Sequence, residues 1–438
     1  MRRSLVCGAV LLVLVSLLAP QATAATSTKA YIVVLKDSVT DPAAVASQQG
    51  HAYGFVAKFV YGHALKGYAA SLSSSAAQAI AADPRVAFLE PDTPVSAAAC
   101  PYISPSGTEC VPNWAVRVDA TNSSTKSGDE TGSIDINVAV LDTGIDFTHP
   151  DLHVVGGADC TSGKGFGDPN GHGTFVAGII GALDNTIGVV GVAPGANLYA
   201  VRVLNKKGTG SASAILCGID WVTATRTDAD PTNDIAVANM SILGKGQDDG
   251  DCGFTKKAVH QAICASVAAG VTYVVAAGND STDFQNSFPA TYSEVLTATA
   301  MDDTDGQPGG LTPPSPTGCG THAGDDVPAF FSNFATLPAD QAHTIAAPGV
   351  CDQSTYTGGI YGVSSGTSFA SPVVAGTVAL CIASGPCAGL TPAQIVQKIV
   401  SDATAYNTAN PGYGFTGDPQ HSPDPNKYYG YLIRASLY

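Results

Sequence analysis

Short apolar runs alternate with longer helical patterns after residue 135. Four runs bounded by Gly, Asn or Asp are predicted to be strands buried on both faces, at 136–141, 198–204, 235–241 and 272–276. Helical patterns lie between them at 174–183, 213–223 and 255–269. A segment rich in Gly, Pro, Thr and Asp, 303–328, is expected to be a surface excursion. The alternation favours an α/β fold in three layers, with a mostly parallel sheet between helices.

An earlier region, before residue 98, has a different and shorter pattern. Strands are predicted at 30–36, 66–72 and 85–90. One short helix begins at Asp41-Pro42, by N-cap and first-turn chemistry, and another covers 75–82. These elements, which include three of the four strands, are interpreted as the β-α-β-β-α-β order of a small α+β, ferredoxin-like domain.

Composition and charge separate the same two regions. The 438 residues are 45% hydrophobic and 13% charged, which excludes a disordered acidic chain. The net charge of the whole chain is −16. Residues 1–25 contribute +2 and residues 26–98 contribute zero, so residues 99–438 contribute −18. This charge argues against a nucleic-acid or anionic-membrane partner.

The amino terminus has the features of a secretory signal peptide. Arg2 and Arg3 precede an apolar run at 5–18, and Ala22-Thr23-Ala24 forms an A-x-A cleavage site. A retained single-pass anchor is the alternative, but Pro20 and the small residues after it suit a signal peptidase better. We therefore expect residues 1–25 to be removed, the protein to be secreted, and no later segment to cross a membrane.

The cysteine count agrees with an oxidising compartment. Cys7 leaves with the signal peptide, and ten cysteines remain. An even number in an exported chain predicts up to five disulfides, although the sequence leaves their connectivity open. Spacing suggests three local loops, Cys100–Cys110, Cys252–Cys264 and Cys381–Cys387.

Three motifs carry the candidate chemistry. Val-Ala-Val-Leu-Asp-Thr-Gly ends a strand at Asp142, Asn-Gly-His-Gly-Thr opens a helix at His172, and Gly-Thr-Ser-Phe-Ala-Ser-Pro opens another at Ser368. Loops at the carboxyl ends of parallel strands are where open α/β sheets build sites. A serine hydroxyl needs a base to become a nucleophile, a neutral histidine supplies one, and a buried carboxylate orients the imidazole.

These motifs resemble the Asp, His and Ser motifs of the subtilisin family of serine peptidases, in the same chain order. Residues 30–92 resemble the family's inhibitory propeptide, and residues 112–403 resemble its peptidase domain. The resemblance implies a subtilisin-like endopeptidase domain at 99–438 and an inhibitory propeptide at 26–98. It also implies a monomeric enzyme for protein or peptide substrates, made as a zymogen that cleaves itself near Ala98 or Ala99.

The resemblance extends to the substrate site. Asn279 would donate its amide to the oxyanion, together with the backbone N–H of Ser368. Substrate would bind as an added strand between two segments, beside a first specificity pocket. The residues implied are Gly208, Thr209 and Gly210 on one side, Ser241, Ile242, Leu243 and Gly244 on the other, and Ala276, Ala277 and Gly278 in the pocket. Two departures are an extra apolar residue within 241–244, which affects the pocket, and Phe175, which affects packing behind His172.

A loop at 183–189 resembles the calcium loop of bacterial subtilisins. Backbone carbonyls and an Asn oxygen there would meet a distant Asp around structural Ca²⁺, for which oxygen ligands are suited. The implied ligands are Asp151, Leu183, Asn185, Ile187 and Val189. The alternative is a structural loop beside an unrelated Asp.

Two other functions remain open on the residues alone. Gly362-Val363-Ser364-Ser365-Gly366 matches the G-x-S-x-G pattern of α/β-hydrolases, and Asp402 and His421 follow in that fold's order. An esterase or lipase that uses Ser364 is therefore an alternative, although it leaves Asp142, His172 and Asn279 without a role. The other alternative is a binding module without turnover.

Overall fold

The structure, a computed structural model, describes residues 28–96, 109–161, 164–250, 252–310 and 322–438. The predicted signal peptide, the predicted cleavage site at Ala98 or Ala99, and Cys100 lie outside the described residues. The signal peptide and the cleavage site remain predictions.

A four-stranded antiparallel sheet with two helices forms the first unit. Its elements are β1 (Thr28–Leu35), α1 (Pro42–Tyr53), β2 (Phe59–Tyr61), β3 (Gly67–Ser73), α2 (Ser74–Ala81) and β4 (Val86–Pro91). The strand order is β2-β3-β1-β4. Side chains of Asp41 and Ser73 cap the two helices by accepting the N–H groups of Ala44 and Ala76. The predicted α+β, ferredoxin-like fold is confirmed.

The rest of the described chain forms a larger α/β unit. Its first elements are β5 (Pro94–Ser96), α3 (Asn113–Arg117), β6 (Asn137–Asp142), β7 (Val154–Asp159), α4 (His172–Gly181), β8 (Asn197–Arg202), β9 (Thr209–Ser211), α5 (Ala212–Thr225), β10 (Val237–Met240) and β11 (Leu243–Lys245). These are followed by α6 (Ala258–Ala268), β12 (Thr272–Ala276), β13 (Ser287–Phe288), β14 (Leu296–Asp302), β15 (Val327–Pro328), α7 (Pro338–Gln341), β16 (Thr344–Pro348), β17 (Asp352–Tyr356), β18 (Ile360–Ser364), α8 (Thr367–Ser384) and α9 (Pro392–Ala409).

An eight-stranded sheet separates two apolar cores. Its order is β15-β14-β12-β10-β6-β8-β7, with β16 beside β14, and every pair except β14–β15 is parallel. Successive residues of β6 alternate between the cores: Val138 and Val140 join α4 and α8 on one face, and Ala139 and Leu141 join α5 and α6 on the other. The predicted three-layer α/β fold is confirmed.

All four predicted strands and three predicted helices of this unit are present, with ends shifted by no more than three residues. The apolar pattern did not predict β7, β14 or β16, whose sequences are rich in Gly, Ala and Thr. In the predicted surface excursion at 303–328, residues 307–310 and Ala323 are exposed, whereas Asp303, Asp325 and Asp326 are buried.

Three disulfides are present among the described residues. Cys252–Cys264 and Cys381–Cys387 confirm two predicted loops. Cys160–Cys217, which joins the end of β7 to α5, was not predicted. Cys110 is a free thiol whose Sγ donates to Gln353, so the suggested Cys100–Cys110 loop is not formed.

Helix α8 has the length and hydropathy of a membrane span, which the apolar pattern had not singled out. It is 83% buried in the structure, and its residues belong to the core between α4 and the sheet. Its apolar composition is therefore that of a central core helix.

Candidate functional site

Asp142 and His172 form a buried pair where β6 ends and α4 begins. Nδ1 of His172 lies 2.8 and 2.9 Å from the two oxygens of Asp142, which also accepts the N–H of Thr143 at 2.7 Å. Burial lowers the pKa of His172, but the charge and hydrogen bond of Asp142, with the charge of Asp168, outweigh burial and raise it. The arrangement directs Nε2 away from Asp142, and within the described residues this atom has no hydrogen-bond partner.

Ser368 is the second residue of α8, and a chain of hydrogen bonds ties it to the end of β10. Ser371 donates to Asn239, Asn239 donates to the hydroxyl of Ser241, and that hydroxyl donates to the carbonyl of Ser368. The hydroxyl of Ser368 donates to the carbonyl of Ser241 at 3.3 Å rather than to His172. His172 nevertheless packs against Phe369, the next residue of α8, with ring centroids 5.4 Å apart.

Phe175 supports this packing from behind. Its ring lies 4.6 Å from the ring of Phe369, centroid to centroid. The effect anticipated for Phe175, on packing rather than on the imidazole itself, agrees with this position.

Asn279 follows β12 and is held by the first residue of α8. Its Oδ1 accepts both the N–H and the hydroxyl of Thr367, each at 2.9 Å. Thr367 in turn accepts the N–H of Gly278 at 3.0 Å. Since the amide oxygen is occupied, the Nδ2 group is the end of Asn279 that is free to donate beside Ser368.

Asp168 is a site residue that sequence reasoning missed. One oxygen accepts the hydroxyl of Thr143 and the N–H of Gly171, and the other accepts the N–H and hydroxyl of Thr174, all within 2.9 Å. Asp168 thereby joins the loop after Asp142 to the start of the His172 helix. A carboxylate four residues before a helix-opening histidine is the local pattern that could have identified it.

The predicted substrate cleft holds a strand of the chain itself. Strand β5 lies between β9 and β11 and is antiparallel to both. Val95 pairs with Gly210 and Gly244, and Ser96 pairs with Thr209 and Leu243. An extended segment is therefore bound by strand addition in the position expected for a peptide substrate.

Not every predicted substrate residue borders this strand. Gly208, with φ of +69°, is in the turn that leads into β9. Ile242 is buried in the apolar core and has no backbone pairing with β5. Of the predicted substrate residues, Thr209, Gly210, Leu243 and Gly244 pair with β5.

Leu243 lies against Gly278, one of the residues expected to line the first specificity pocket. Ala276 and Ala277 are buried, and Gly278 has φ of +107°. A Cβ placed on Gly278 would come within 2.7 Å of Leu243 Cδ2, so the leucine side chain lies directly on that glycine. Leu243, one of the two apolar residues between Ser241 and Gly244, therefore lies against the backbone where that pocket is expected.

The first unit contacts the second through reciprocal carboxylates. Asp92 accepts the N–H of Ser213 at 2.8 Å at the start of α5, and Glu90 accepts the N–H of Ala258 at 2.6 Å at the start of α6. In the opposite direction, Asp220 of α5 accepts backbone N–H groups of residues 62, 63 and 64. Each acid satisfies donors that helix or turn geometry leaves unpaired.

The predicted calcium loop includes an acid that sequence reasoning did not find. Asp151 accepts the side-chain amide of Asn185 at 2.8 Å and the N–H of Val189 at 3.2 Å. Glu109 accepts the backbone N–H of Asn185 at 2.6 Å. Burial raises the pKa of Asp151 to about 6, and burial with the charge of Asp184 raises that of Glu109 to about 7.

The acids of this loop could bind a hard cation, but the predicted Asn185 oxygen and both oxygens of Asp151 already accept protein N–H groups. No Lys or Arg in the described ranges forms an ion pair with Glu109, Asp151 or Asp184. The N–H of Leu183 donates to the carbonyl of Asp151, and the N–H of Ile187 donates to Oδ1 of Asn185. The side-chain oxygen of Asn185, which was predicted to be a calcium ligand, therefore accepts from Ile187, and the side-chain NH₂ of Asn185 donates to Asp151.

The alternative triad is not assembled. Ser364 lies in β18, paired with Asp352, and not at a turn between a strand and a helix. Asp402 accepts from Lys398 and Tyr438, whereas His421 pairs with Asp418 at 2.9 Å. The residues of the G-x-S-x-G hypothesis therefore belong to separate hydrogen-bonded groups.

Known families match both units of the chain. Residues 133–417 match the subtilase family of peptidases, and residues 30–98 match peptidase inhibitor I9. Subtilisin DY from Bacillus licheniformis is 38% identical over 273 residues, which are 61% of this chain and 84% of the relative. Subtilisin E from Bacillus subtilis (strain 168) is 34% identical over 341 residues, 77% of this chain and 75% of the relative.

One solved structure gives the same result for the fold. The crystal structure of a cold-adapted subtilisin-like serine proteinase matches with a TM-score of 0.50 and 27% identity. The match covers 68% of this chain and 88% of the other.

Proposed function

The chain belongs to the subtilase family and is a serine endopeptidase with an I9 inhibitor domain, and we propose that Asp142, His172 and Ser368 are its catalytic triad. The observation that carries the proposal is the buried bond from Asp142 to Nδ1 of His172. It leaves Nε2 as a base beside the start of α8. The unassembled Ser364 group supports no second function.

In the proposed reaction, Ser368 rotates its hydroxyl from the Ser241 carbonyl toward Nε2 of His172. His172 takes the proton while Oγ attacks the substrate carbonyl, and it returns that proton to the leaving amine. Asp142 keeps Nδ1 protonated and stabilises the imidazolium. Water, activated by the same histidine, then hydrolyses the acyl-enzyme.

Asn279 is proposed to stabilise the negative oxygen that forms during the attack. Its side-chain amide and the N–H of Ser368, at the start of α8, would act together as donors. A preorganised donor of this kind contributes about 3–4 kcal/mol to transition-state stabilisation. The two bonds from Thr367 support the role, because they hold the amide in one orientation.

We propose that the enzyme is exported as a zymogen and cleaves itself near Ala98 or Ala99. The signal-like residues 1–25 support export. Ser96, the last described residue of β5, pairs with Leu243, two residues after Ser241, whose carbonyl accepts from Ser368, which supports cleavage a short distance after Ser96. A small alanine also suits a pocket bordered by Leu243.

Ser368→Ala tests both the triad and self-cleavage, with Ser364→Ala as the matched control. We expect Ser368→Ala to lose hydrolysis and phosphonate-probe labelling and to keep the propeptide, while Ser364→Ala processes normally to an amino terminus near Ala99. Normal processing of Ser368→Ala would contradict self-cleavage. Activity in Ser368→Ala, with loss in Ser364→Ala, would overturn the triad.

Calcium binding at the 183–189 loop is a separate proposal. Glu109, Asp151 and Asn185 would hold the ion, together with backbone carbonyls of the loop, and the bound ion would offset the negative charge of the two acids. Titration calorimetry of chelated Ser368→Ala protein should detect binding that Asp151→Asn weakens. Equal binding by both proteins would contradict this assignment.

A further inference from the structure

His260, the third residue of α6, is a buried histidine outside the proposed triad, and its two ring nitrogens have different surroundings. Its side chain is fully buried, and its ring stacks on Tyr292 with centroids 4.1 Å apart. Nε2 lies 2.7 Å from Oε2 of Glu294. Among the described residues, Nδ1 has no hydrogen-bond partner. Since a buried polar atom without a partner is costly, the surroundings of Nδ1 require an explanation.

The bond to Glu294 determines which ring nitrogen of His260 carries the proton. A carboxylate can only accept, so Nε2 donates, and the lone pair of the neutral imidazole is on Nδ1. Metal-binding histidines are held in the same way: the nitrogen that does not bind the metal donates to a carboxylate, which orients the ring and makes the other nitrogen more basic. Nδ1 of His260 is therefore oriented and charged as a metal ligand would be.

Two carboxylates that follow β11 face this nitrogen. Oδ1 of Asp248 lies 3.2 Å from Nδ1 and Oδ1 of Asp249 lies 3.8 Å from it, but neither oxygen forms a hydrogen bond with it. Within the described ranges, no Lys or Arg is in an ion pair with either acid, and Lys257 acts on Asp249 only from a greater distance. A lone pair and two carboxylates at these distances repel one another unless a cation lies between them.

The three atoms have the spacing of ligands around one small ion. One ligand atom each from Asp248, Asp249 and His260 can be chosen so that all three lie within 4.8 Å of one another. Zn²⁺ binds nitrogen and carboxylate oxygen at about 2.0–2.2 Å, so the ligand atoms of a tetrahedral site are about 3.3–3.5 Å apart. The distances of 3.2 and 3.8 Å from Nδ1 lie close to this range.

Hydrogen bonds hold both acids in place and still allow them to bind an ion. Oδ1 of Asp248 accepts the N–H of Gly250 at 3.1 Å. Asp249 accepts the hydroxyl of Thr255 through Oδ1 and the N–H of Lys256 through Oδ2 at 2.7 Å. A carboxylate oxygen has two lone pairs, so one accepted hydrogen bond leaves the other lone pair for a cation. Carboxylate ligands of metals are commonly oriented by such bonds.

The Cys252–Cys264 disulfide brings these groups together. Cys264 lies four residues after His260, on the same face of α6, and Cys252 lies three residues after Asp249. The two sulfur atoms also lie close to His260 and Glu294. They are not ligands, because metals bind cysteine as the thiolate and these sulfurs are joined in a disulfide. The disulfide therefore holds the chain of the two acids against the histidine without taking part in binding.

We propose that His260, Asp248 and Asp249 form a Zn²⁺ site and that Glu294 is its positioning residue. One imidazole with two carboxylates favours Zn²⁺ over Ca²⁺, which takes oxygen ligands. Three protein ligands leave a fourth position for water. The side chains of Asp248 and Asp249 are 29% and 28% exposed, which gives the ion a path from solvent. A bound ion would join α6 to the chain that follows β11, the strand that pairs with β5 in the cleft.

The test uses full-length Ser368→Ala protein, which avoids autolysis, with Zn²⁺ as the probe under non-reducing conditions. Excess Ca²⁺ in the buffer fills sites that have only oxygen ligands. We expect calorimetry to detect Zn²⁺ binding and Tm to rise when Zn²⁺ is added. Asp248→Asn and Asp249→Asn should each lower the affinity at least about tenfold, because even substitutions in the outer shell of a metal site cost about 10- to 100-fold.

Asp230→Asn is the matched control for Asp249→Asn. Asp230 also accepts a threonine hydroxyl and a backbone N–H, both from Thr232, but within the described chain it forms no ion pair with a histidine. Its substitution should leave Zn²⁺ affinity unchanged.

Glu294→Gln tests the positioning role. Glutamine keeps an acceptor for Nε2 of His260 but removes the negative charge, so Zn²⁺ affinity should fall about tenfold. Near-ultraviolet circular dichroism of the metal-free variant should stay unchanged, which separates this role from a purely structural one.

Three results would overturn the proposal. The first is no Zn²⁺ binding by the Ser368→Ala protein, the result expected if both nitrogens of His260 are protonated instead. The second is equal affinity in Asp249→Asn and Asp230→Asn, with circular dichroism showing that both are folded. The third needs no substitution at the site: crystals of the Ser368→Ala protein with Zn²⁺ should give an anomalous peak at the zinc edge about 2.0–2.2 Å from Nδ1 of His260. Absence of that peak would contradict the site even if the variants do not fold.

Discussion

At the scale of single residues, the pKa of His172 links structure to activity. The base must be neutral to accept the serine proton, and the charges of Asp142 and Asp168 favour its protonated form. Since its pKa is raised above 6.5, protonation begins at a higher pH than for a free histidine. Activity should therefore be lost as pH falls through a midpoint above 6.5.

The first prediction follows from this sign. We expect kcat/KM of the wild-type enzyme on a small peptide to fall with decreasing pH, with a midpoint above 6.5. Asp168→Asn should move that midpoint to lower pH, because it removes one of the charges that favour the imidazolium. A wild-type midpoint at or below 6.5, or an upward shift in Asp168→Asn, would contradict the electrostatic account.

Leu243 carries the second prediction at this scale. Its side chain lies on Gly278, so Leu243→Gly should open the pocket that receives the residue before the scissile bond. Relative to Ala, kcat/KM for Phe or Leu at that position should rise about 10- to 200-fold, the range for added apolar contact. Leu243→Ile, which keeps the volume, should change this ratio little. If the kcat/KM ratio of Phe or Leu to Ala were unchanged in Leu243→Gly, Leu243 would not determine the size of the pocket.

At the scale of elements, the Cys160–Cys217 disulfide joins a sheet edge to a helix on one face. It closes a loop of 57 residues, whereas Cys381–Cys387 closes one of 6. Loop entropy predicts stabilisation of about 4 kcal/mol for the long loop and about 2 kcal/mol for the short one. In Ser368→Ala protein, both cysteines of one disulfide are replaced by Ala and the free energy of unfolding is measured in urea. The loss should be larger for Cys160–Cys217 than for Cys381–Cys387. A larger loss from the short loop would contradict the entropic account.

Elements were predictable where the local pattern determines them. Val138 to Leu141 form a continuous apolar run because both faces of β6 are buried, and such runs identify central strands. Strand β14, Leu-Thr-Ala-Thr-Ala-Met-Asp, is equally buried but is built of small and hydroxylated residues. Its strand pairing comes from β12 and β16, not from local hydrophobicity, so the pattern could not identify it.

The residues of the candidate site also differ in whether the local sequence could predict them. Asp142, His172 and Ser368 were predictable because each opens or ends an element within a distinctive motif. Glu109 was not, because its role depends on a partner that folding brings close: Glu109 meets Asn185, 76 residues away along the chain. Cys160 and Cys217 meet for the same reason. Such pairings are properties of the sheet order and loop packing.

At the scale of the whole molecule, the two units share one apolar core. Ile32, Val34 and Tyr61 of the first unit pack with residues of α5, α6 and the sheet of the second. Tyr61 also donates to the carbonyl of Ser213 at 3.0 Å. Because Glu90 and Asp92 complete the starts of α6 and α5, the first unit supplies both apolar surface and caps to helices that flank the cleft. The precursor should therefore be more stable than the enzyme that remains after cleavage.

Asp220 allows this coupling to be measured with one substitution. In the precursor its carboxylate accepts the N–H groups of His63 and Ala64, each at 2.6 Å, and it is almost fully buried. Asp220→Ala in Ser368→Ala protein should lower the free energy of unfolding by about 1–3 kcal/mol, since those buried donors lose their acceptor. In the mature enzyme, which lacks residues 63 and 64, the same substitution affects an exposed side chain and should change stability by less than about 0.5 kcal/mol. Asp228→Ala, an exposed position after α5, should have a small effect in both forms. Equal losses in precursor and mature protein would show that Asp220 stabilises α5 itself and not the contact between the units.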